Sequence, residues 1–182
     1  AGKKHKLMVI APAHHRRIAA GILSWGQDLD HETSPFQVNL AYQVPRNKKS
    51  DYIGKAELER QRDVMDSGEA PFKMKMVGIT LGGKEITDYA PDFWLVADTD
   101  GNDMGYVTSP WWSPELETNI ALAWVPWSSS EVGTKLLVKL PDEYSVTPGE
   151  PVEGEVVDVP FRESVNPNKR EVEAAKGKDF AE

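Results

Sequence analysis

Three groups of residues in this chain have types and spacings that could bind a ligand, and the first is the acidic stretch Asp98–Asp103. It offers the carboxylates of a calcium loop, but an EF-hand loop needs glycine at its sixth position and a carboxylate at its twelfth. Here Gly101 is fourth and Ser109 is twelfth. Asp-Gly followed by asparagine is instead typical of a hairpin. The stretch therefore predicts a turn rather than a metal site.

The second group is the histidines His14, His15 and His31. Adjacent residues on a helix point about 100° apart, so His14 and His15 are poorly placed to hold one ion. His31 lies in a loop with Asp28, Asp30 and Glu32, where an imidazole influenced by neighbouring carboxylates is the simpler interpretation. We predict no metal site.

The third group is the pair Trp111-Trp112, between Pro110 and Ser113-Pro114. Successive residues of an extended segment face opposite sides, so one ring can enter a β-barrel while the other points outward. The outward ring either stacks on a ligand or covers another domain, and packing is the favoured interpretation. GxSxG, P-loop, GxGxxG and HExxH motifs are absent from the sequence.

Composition restricts the function classes. A chain of 182 residues with 40% hydrophobic residues and six tryptophans can form a packed core. The net charge of −8 argues against nucleic-acid binding, and no window is apolar enough for a membrane span. The lack of cysteine excludes disulfides and thiolate zinc sites and fits a cytoplasmic location.

The order of the elements predicts an α+β chain. A strand at Leu7–Ile10 and a helix at His14–Leu23 come first. A second helix is expected from Ser50 or Asp51 to about Val64, ended by Gly68. Short β-branched and aromatic runs follow, which predict an antiparallel barrel or sandwich. These predicted strands are Met74–Leu81, Phe93–Ala97, Tyr106–Thr108, Ile120–Val125, Lys135–Leu140 and Glu155–Val159.

Several stretches, in order, resemble the glycine-cleavage T-protein family, which includes aminomethyltransferases and dimethylsulfoniopropionate demethylases. Arg17–Gly21 (R-I-A-A-G) is similar to the family's R-L-E-A-G, and Trp25–Asp30 (W-G-Q-D-L-D) to its Y-G-x-D-[IM]-D. Thr33–Gln37 matches T-T-P-x-E, and Asp51–Leu58 matches D-F-I-G-K-E-x-L. The match continues through M-V-G-I, G-Y-V-T-S, S-P-E-L and N-I-A-L-A-W-V, at 76–79, 105–109, 113–116 and 119–125. The demethylase branch is the more similar in residues 18–30.

The resemblance implies three domains around a central folate cavity, two of them formed by the N-terminal region. Residues 1–45 would be the end of that region, 46–70 a linker helix, 71–165 the C-terminal β-barrel and 166–182 a charged tail. The first residue is Ala1 rather than methionine, so we expect a processed product or a piece of a longer protein. The family's essential aspartate would lie upstream, and no catalytic residue is expected within these 182 residues.

Five residues are predicted to contact tetrahydrofolate on the strength of the resemblance: Arg17, Ala19, Trp25, Gln37 and Trp111. Two of them depart from the pattern. Ala19 stands where the family's glutamate holds the pterin ring through paired hydrogen bonds, which alanine cannot make. Gln37 replaces a second glutamate and keeps an acceptor without the charge. Either folate is held by other contacts, which we favour, or the ligand has changed.

Two functions follow as expectations. In the first, the chain is the C-terminal part of a tetrahydrofolate-dependent methyltransferase or demethylase. It would be inactive alone, would pair with an N-terminal domain and would act on a small methylated donor. A methylated sulfonium or ammonium donor would suit tryptophan faces. In the second, the chain is a catalytically inactive barrel that binds a partner or supplies structure, as the loss of the pterin glutamate at Ala19 suggests.

Overall fold

A computed structural model describes residues 2–5, 13–46 and 48–161 of the chain. Within this part, two α-helices precede a set of six β-strands. The helices are α1 (His14–Ala19) and α2 (Lys55–Asp66). The strands are β1 (Met74–Leu81), β2 (Trp94–Ala97), β3 (Asp103–Ser113), β4 (Thr118–Pro126), β5 (Lys135–Val138) and β6 (Val152–Val157). Short 3₁₀ turns lie at Gly2–His5, Ala41–Gln43 and Trp127–Ser129.

The six strands form a closed barrel in the order β1-β4-β3-β2-β5-β6. Every neighbouring pair is antiparallel, and β6 closes the barrel by pairing Gly78 of β1 with Val157. Closure leaves no unpaired sheet edge. The α+β prediction with an antiparallel barrel is confirmed.

The barrel has apolar side chains on both surfaces of β1 and β4. Alternate residues such as Val77, Ile79 and Ala121 fill the interior. The intervening residues Met76 and Leu122 face outward into a second apolar cluster. Strands buried on both faces need a near-continuous apolar sequence, which explains the run I-A-L-A-W-V in β4. The outer cluster is covered by Ile18 and Ala19 of α1, by Val38 and by Phe161.

Helix α1 ends at Ala19, four residues before the predicted end at Leu23. Gly21 adopts a left-handed conformation with φ of +68°, and its N–H donates to the carbonyl of Ile18. The N–H of Ile22 donates to the carbonyl of Arg17, which completes a Schellman motif. The glycine therefore stops the helix before the helix-forming residues that follow it.

Helix α2 begins at Lys55, later than predicted. Gly54 precedes it in a left-handed conformation, and neither Ser50 nor Asp51 caps the helix with its side chain. The predicted end is confirmed, because Gly68 has a φ of +85° and its N–H donates to the Met65 carbonyl. The predicted strand at Leu7–Ile10 lies outside the described residues.

The strand predictions locate all six strands but are wrong at several ends. β1 has the predicted bounds, whereas β3 continues through Pro110 to Ser113. A register shift between Val107 and Ser109 lies just before Pro110, and the pairing of β3 with β4 continues beyond the proline.

The Asp98–Asp103 turn is confirmed as the β2–β3 hairpin. The carboxylate of Asp98 accepts hydrogen bonds from the backbone N–H groups of Asp100 and Asn102, and hydrogen bonds from Asn102 lower the pKa of Asp98.

Gly105 provides a test of this packing. A Cβ at this position would collide with the backbone carbonyl of Trp124, which the sheet holds in place. We expect Gly105→Ala to reduce the free energy of unfolding by about 1–3 kcal/mol, as overpacking does. Urea denaturation measures this. Gly82→Ala is the matched control, because its Cβ would lie 3.7 Å from the nearest atom. Equal losses in both variants would contradict the close approach of β3 and β4.

Candidate functional site

A buried ion pair joins α1 to the loop that follows it. The guanidinium of Arg17 donates to the carboxylate of Asp28 with an N–O distance of 2.8 Å. The Asp28 side chain is fully buried, and that of Arg17 is 19% exposed. A buried charge is tolerated only when it is paired and its remaining hydrogen-bonding positions are filled.

The remaining acceptor positions of Asp28 are filled by the loop and by β3. The backbone N–H of Ser24 donates to one carboxylate oxygen at 2.7 Å. The hydroxyls of Thr108 and Ser109 donate to the other at 2.6 and 2.5 Å. The Ser109 hydroxyl in turn accepts from Arg17 at 2.8 Å. The network therefore connects the segment before the barrel directly to a barrel strand.

Two further bonds attach the same loop to the barrel. The indole N–H of Trp124 on β4 donates to the backbone carbonyl of Asp28 at 2.9 Å. The side-chain amide of Gln27 donates to the Thr108 carbonyl at 2.7 Å, and its oxygen accepts from Arg17 at 3.4 Å. The loop is thus fixed to two adjacent strands, so it holds one position beneath the surface residues around it.

Three aromatic rings lie beside this network and are called the ring cluster here: His14, Tyr89 and Trp111. The ring of His14 lies 4.5 Å from that of Tyr89 and 4.9 Å from that of Trp111. The Tyr89 and Trp111 rings are 5.4 Å apart. Partial burial, reinforced by the positive charge of Arg17, lowers the pKa of His14 to about 4. The imidazole is therefore neutral at pH 7.

A pocket of about 420 Å³ opens above the ion pair and next to the ring cluster. His14, Arg16 and Arg17 of α1 form one wall, and Ser24, Gln27 and Tyr89 contribute from the loops. Its volume is within the range of small-molecule sites. The pocket combines aromatic surface with cationic side chains, so it is suited to a flat ligand that is neutral or anionic.

The five residues predicted to contact folate lie in different environments, and two of them make only internal contacts here. Ala19 is 1% exposed and packs in the outer apolar cluster rather than in the pocket. The Gln37 amide accepts from the N–H of Ser34 at 3.0 Å and donates to the Met74 carbonyl at 3.2 Å. Gln37 thus holds the segment before the barrel against β1, and Ala19 packs α1 against the outer surface of the barrel.

The other three differ in their relation to the pocket. Arg17 lines the pocket but directs its donors to protein acceptors. Trp111 is half-buried, and besides its contacts within the ring cluster it packs against the outer apolar cluster. Trp25 is 68% exposed. Their role in folate binding stays a prediction.

Sequence reasoning did not single out Asp28, Ser109, His14 or Tyr89 as parts of one site. A signal existed for the first two, since Arg17, Asp28 and Ser109 each lie in a stretch quoted for the family resemblance. Tyr89 had no such signal, because a loop residue between β1 and β2 meets α1 only in the folded chain. Among the described residues, no group of three or more His, Asp or Glu is placed to hold a metal ion. Nor is any described helix long and apolar enough to cross a membrane.

Comparison with known proteins decides the relationship. Residues 75–162 match the family model of the glycine cleavage T-protein C-terminal barrel domain. The chain belongs to the glycine-cleavage T-protein family, of which it carries the C-terminal region. The match covers the barrel from β1 to β6 and ends just after the described residues.

Curated relatives of the T-protein family extend the similarity beyond the barrel. The aminomethyltransferase of Synechococcus sp. (strain CC9902) is 34% identical over 124 residues, which are 68% of this chain and 31% of that protein. The aminomethyltransferase of Rubrobacter xylanophilus is 32% identical over 145 residues, 80% of this chain and 34% of that protein. Both alignments are longer than the barrel match. Because the alignments cover 31% and 34% of these proteins, the chain spans about a third of the length of these relatives.

A solved T-protein structure has the same fold. The crystal structure of the glycine cleavage system aminomethyltransferase T from Bartonella henselae superposes with a TM-score of 0.63 and 24% identity. The superposition covers 82% of this chain and 38% of that one. At this identity the likeness concerns the fold alone.

The buried ion pair predicts a large effect of removing its charge. Asp28→Asn leaves Arg17 without its anion and turns an acceptor of hydroxyl hydrogen bonds into a donor. We expect the free energy of unfolding to fall by about 3–5 kcal/mol, measured by urea denaturation. Asp66→Asn is the control, because Asp66 forms an exposed bidentate pair with Arg46 and should have a much smaller effect. Similar losses in the two variants would exclude the structural role of Asp28.

His14 predicts a pH dependence. Its pKa is about 4 in the folded chain and about 6.5 when exposed, so in this window the unfolded state binds more protons. The free energy of unfolding should therefore fall as the pH is lowered from 6.5 to 4. In His14→Gln it should depend less steeply on pH. Urea midpoints across the window measure it, with the exposed His31→Gln as control. An unchanged slope in His14→Gln would show that another group titrates.

Proposed function

We propose that this chain is the C-terminal part of a tetrahydrofolate-dependent one-carbon transferase. The observation that carries the proposal is the extent of the likeness to aminomethyltransferases, which is longer than the match to the barrel model. In this proposal the barrel and the segment of residues 13–46 form one wall of a folate cavity. Catalysis would need residues from an upstream region, since the relatives are about three times as long as the matched part.

The wall is preformed, which supports the proposal. The Arg17–Asp28 pair and the Trp124 indole fix the loop of residues 24–28 to the barrel. A ligand that binds above this loop therefore meets side chains whose positions are already set, and little ordering entropy is lost on binding. Folate would use the pocket and the aromatic surface beside it rather than Ala19, which is buried.

The upstream region would dock on the pocket side. Ile22, Trp25 and Tyr89 are 59, 68 and 69% exposed, and Ile22 and Tyr89 lie at the pocket itself. Large exposed apolar side chains grouped at one site are typical of an interface. We propose that an N-terminal domain covers them and completes the cavity, in a protein located in the cytoplasm.

The one-carbon donor would be either a small methylated compound or an aminomethyl group. The Synechococcus and Rubrobacter relatives are named aminomethyltransferases, and the demethylase branch stays a prediction. The alternative function, an inactive barrel that binds a partner, is favoured by one observation. Ala19 and Gln37 occupy the positions of two family glutamates, and both are committed to internal contacts.

Calorimetric titration with tetrahydrofolate tests the proposal. The 182-residue chain and the longer gene product that contains it should be titrated in parallel at pH 7. We expect micromolar binding by the longer product and much weaker binding by the chain alone, because the cavity is shared between domains. Absence of binding by the longer product would contradict the enzyme function and favour the inactive barrel.

A further inference from the structure

Lys75, the second residue of β1, extends the row of side chains that fills the barrel. Val77, Ile79 and Leu81 of the same strand belong to the interior cluster. Because side chains alternate along a strand, Lys75 has the same direction as these three. Its neighbour across the sheet is Val125 of β4, which is also part of the interior cluster. A lysine therefore lies at the end of an otherwise apolar row.

Two aromatic residues border this lysine. Its Nζ lies 5.1 Å from the centroid of the Trp127 ring, and the ring of Phe72 is 6.2 Å from that of Trp127. The backbone N–H of Trp127 donates to the carbonyl of Lys73 at 2.9 Å, which fixes this residue beside the start of β1. A tryptophan face attracts an ammonium group. The amino group of Lys75 therefore has a defined position over the ring.

No counter-charge accompanies Lys75 among the residues that the structure describes. By contrast, Lys135 pairs with Glu155 and Lys139 pairs with Asp103. The Lys75 side chain is half-buried. Burial disfavours the charged form and lowers the pKa of Lys75. The neutral amine that is thereby favoured is the nucleophilic form of lysine.

From this environment we propose that Lys75 is a site of acylation by an activated acyl group, an acyl phosphate or an acyl thioester. The Nζ lone pair attacks the acyl carbon and forms a C–N bond. The bond from that carbon to the phosphate oxygen or to the thioester sulfur breaks, and the leaving group takes the electron pair. The amine proton passes to water. The product is a neutral amide, which removes the unpaired charge from the end of the apolar row. Neither folate nor the pocket beside α1 takes part, so the inference is independent of the proposed function.

Competitive acetylation of the folded 182-residue chain tests the inference. A limiting amount of acetyl phosphate, or of S-acetyl-coenzyme A in a parallel sample, is added at pH 7. Peptide mass spectrometry with fragment ions that separate Lys73 from Lys75 then gives the label at each residue. Lys73 is the reference, because it is exposed and, within the described part of the chain, also forms no ion pair.

We expect at least one donor to acetylate Lys75 about threefold faster than Lys73 or more, since a larger fraction of Lys75 is the neutral amine. In concentrated urea the two residues should react at equal rates, because unfolding removes the apolar surroundings of Lys75. The donor that gives the preference identifies the class of acyl group, a mixed anhydride or a thioester.

Two conservative variants assign the label. Lys75→Arg keeps a cation over Trp127 but offers no amine, so total incorporation should fall by the share that Lys75 carries. Lys73→Arg is the matched control, and it should leave the rate at Lys75 unchanged. Both variants retain the charge, and urea denaturation midpoints close to that of the unchanged chain verify that they fold.

Two results would overturn the inference. One is labelling of Lys75 no faster than that of Lys73 with both donors in the folded chain. The other is the same ratio of the two labels in the folded chain and in urea, because the preference would then come from the local sequence rather than from the barrel.

Discussion

The buried carboxylate of Asp28 is the constraint on which the rest of this structure depends. An unpaired charge at a fully buried position costs several kcal/mol, so each acceptor position must be filled. The donors come from α1, from the loop itself and from β3. These elements can therefore be assembled in only one relative arrangement, which fixes the segment before the barrel against the barrel wall.

The short helix α1 shows how far this constraint reaches. Six residues are too few for a stable isolated helix in water. Its position is maintained by Ile18 and Ala19, which are buried in the outer apolar cluster beside β3 and β4, and by the ion pair of Arg17. The barrel in turn needs this cover, because its outer apolar cluster would otherwise face solvent. Helix and barrel are thus parts of one folding unit.

The family motifs suggest one role from their sequence and have another in the structure. The stretches around Arg17, Asp28 and Ser109 suggest a ligand site, yet their polar groups bind one another. The pocket beside them is lined by further residues, among them Arg16, Gln27 and Tyr89, the last from a distant loop. A motif that specifies a wall of a cavity need not itself touch the ligand.

The sequence by itself determined the family, the strand-rich second half and the location of the six strands, because apolar runs bounded by turn residues are local signals. It also placed the β2–β3 turn at Asp98–Asp103, whose side chains bond their own backbone. Only the tertiary structure decided where α1 ends, how β3 passes Pro110 and which residues surround Asp28. Those outcomes depend on groups far apart in the sequence, such as Asp28 with Thr108 and His14 with Tyr89. No local sequence pattern predicts these contacts, because each partner is an ordinary polar or aromatic residue and the two meet only in the folded barrel.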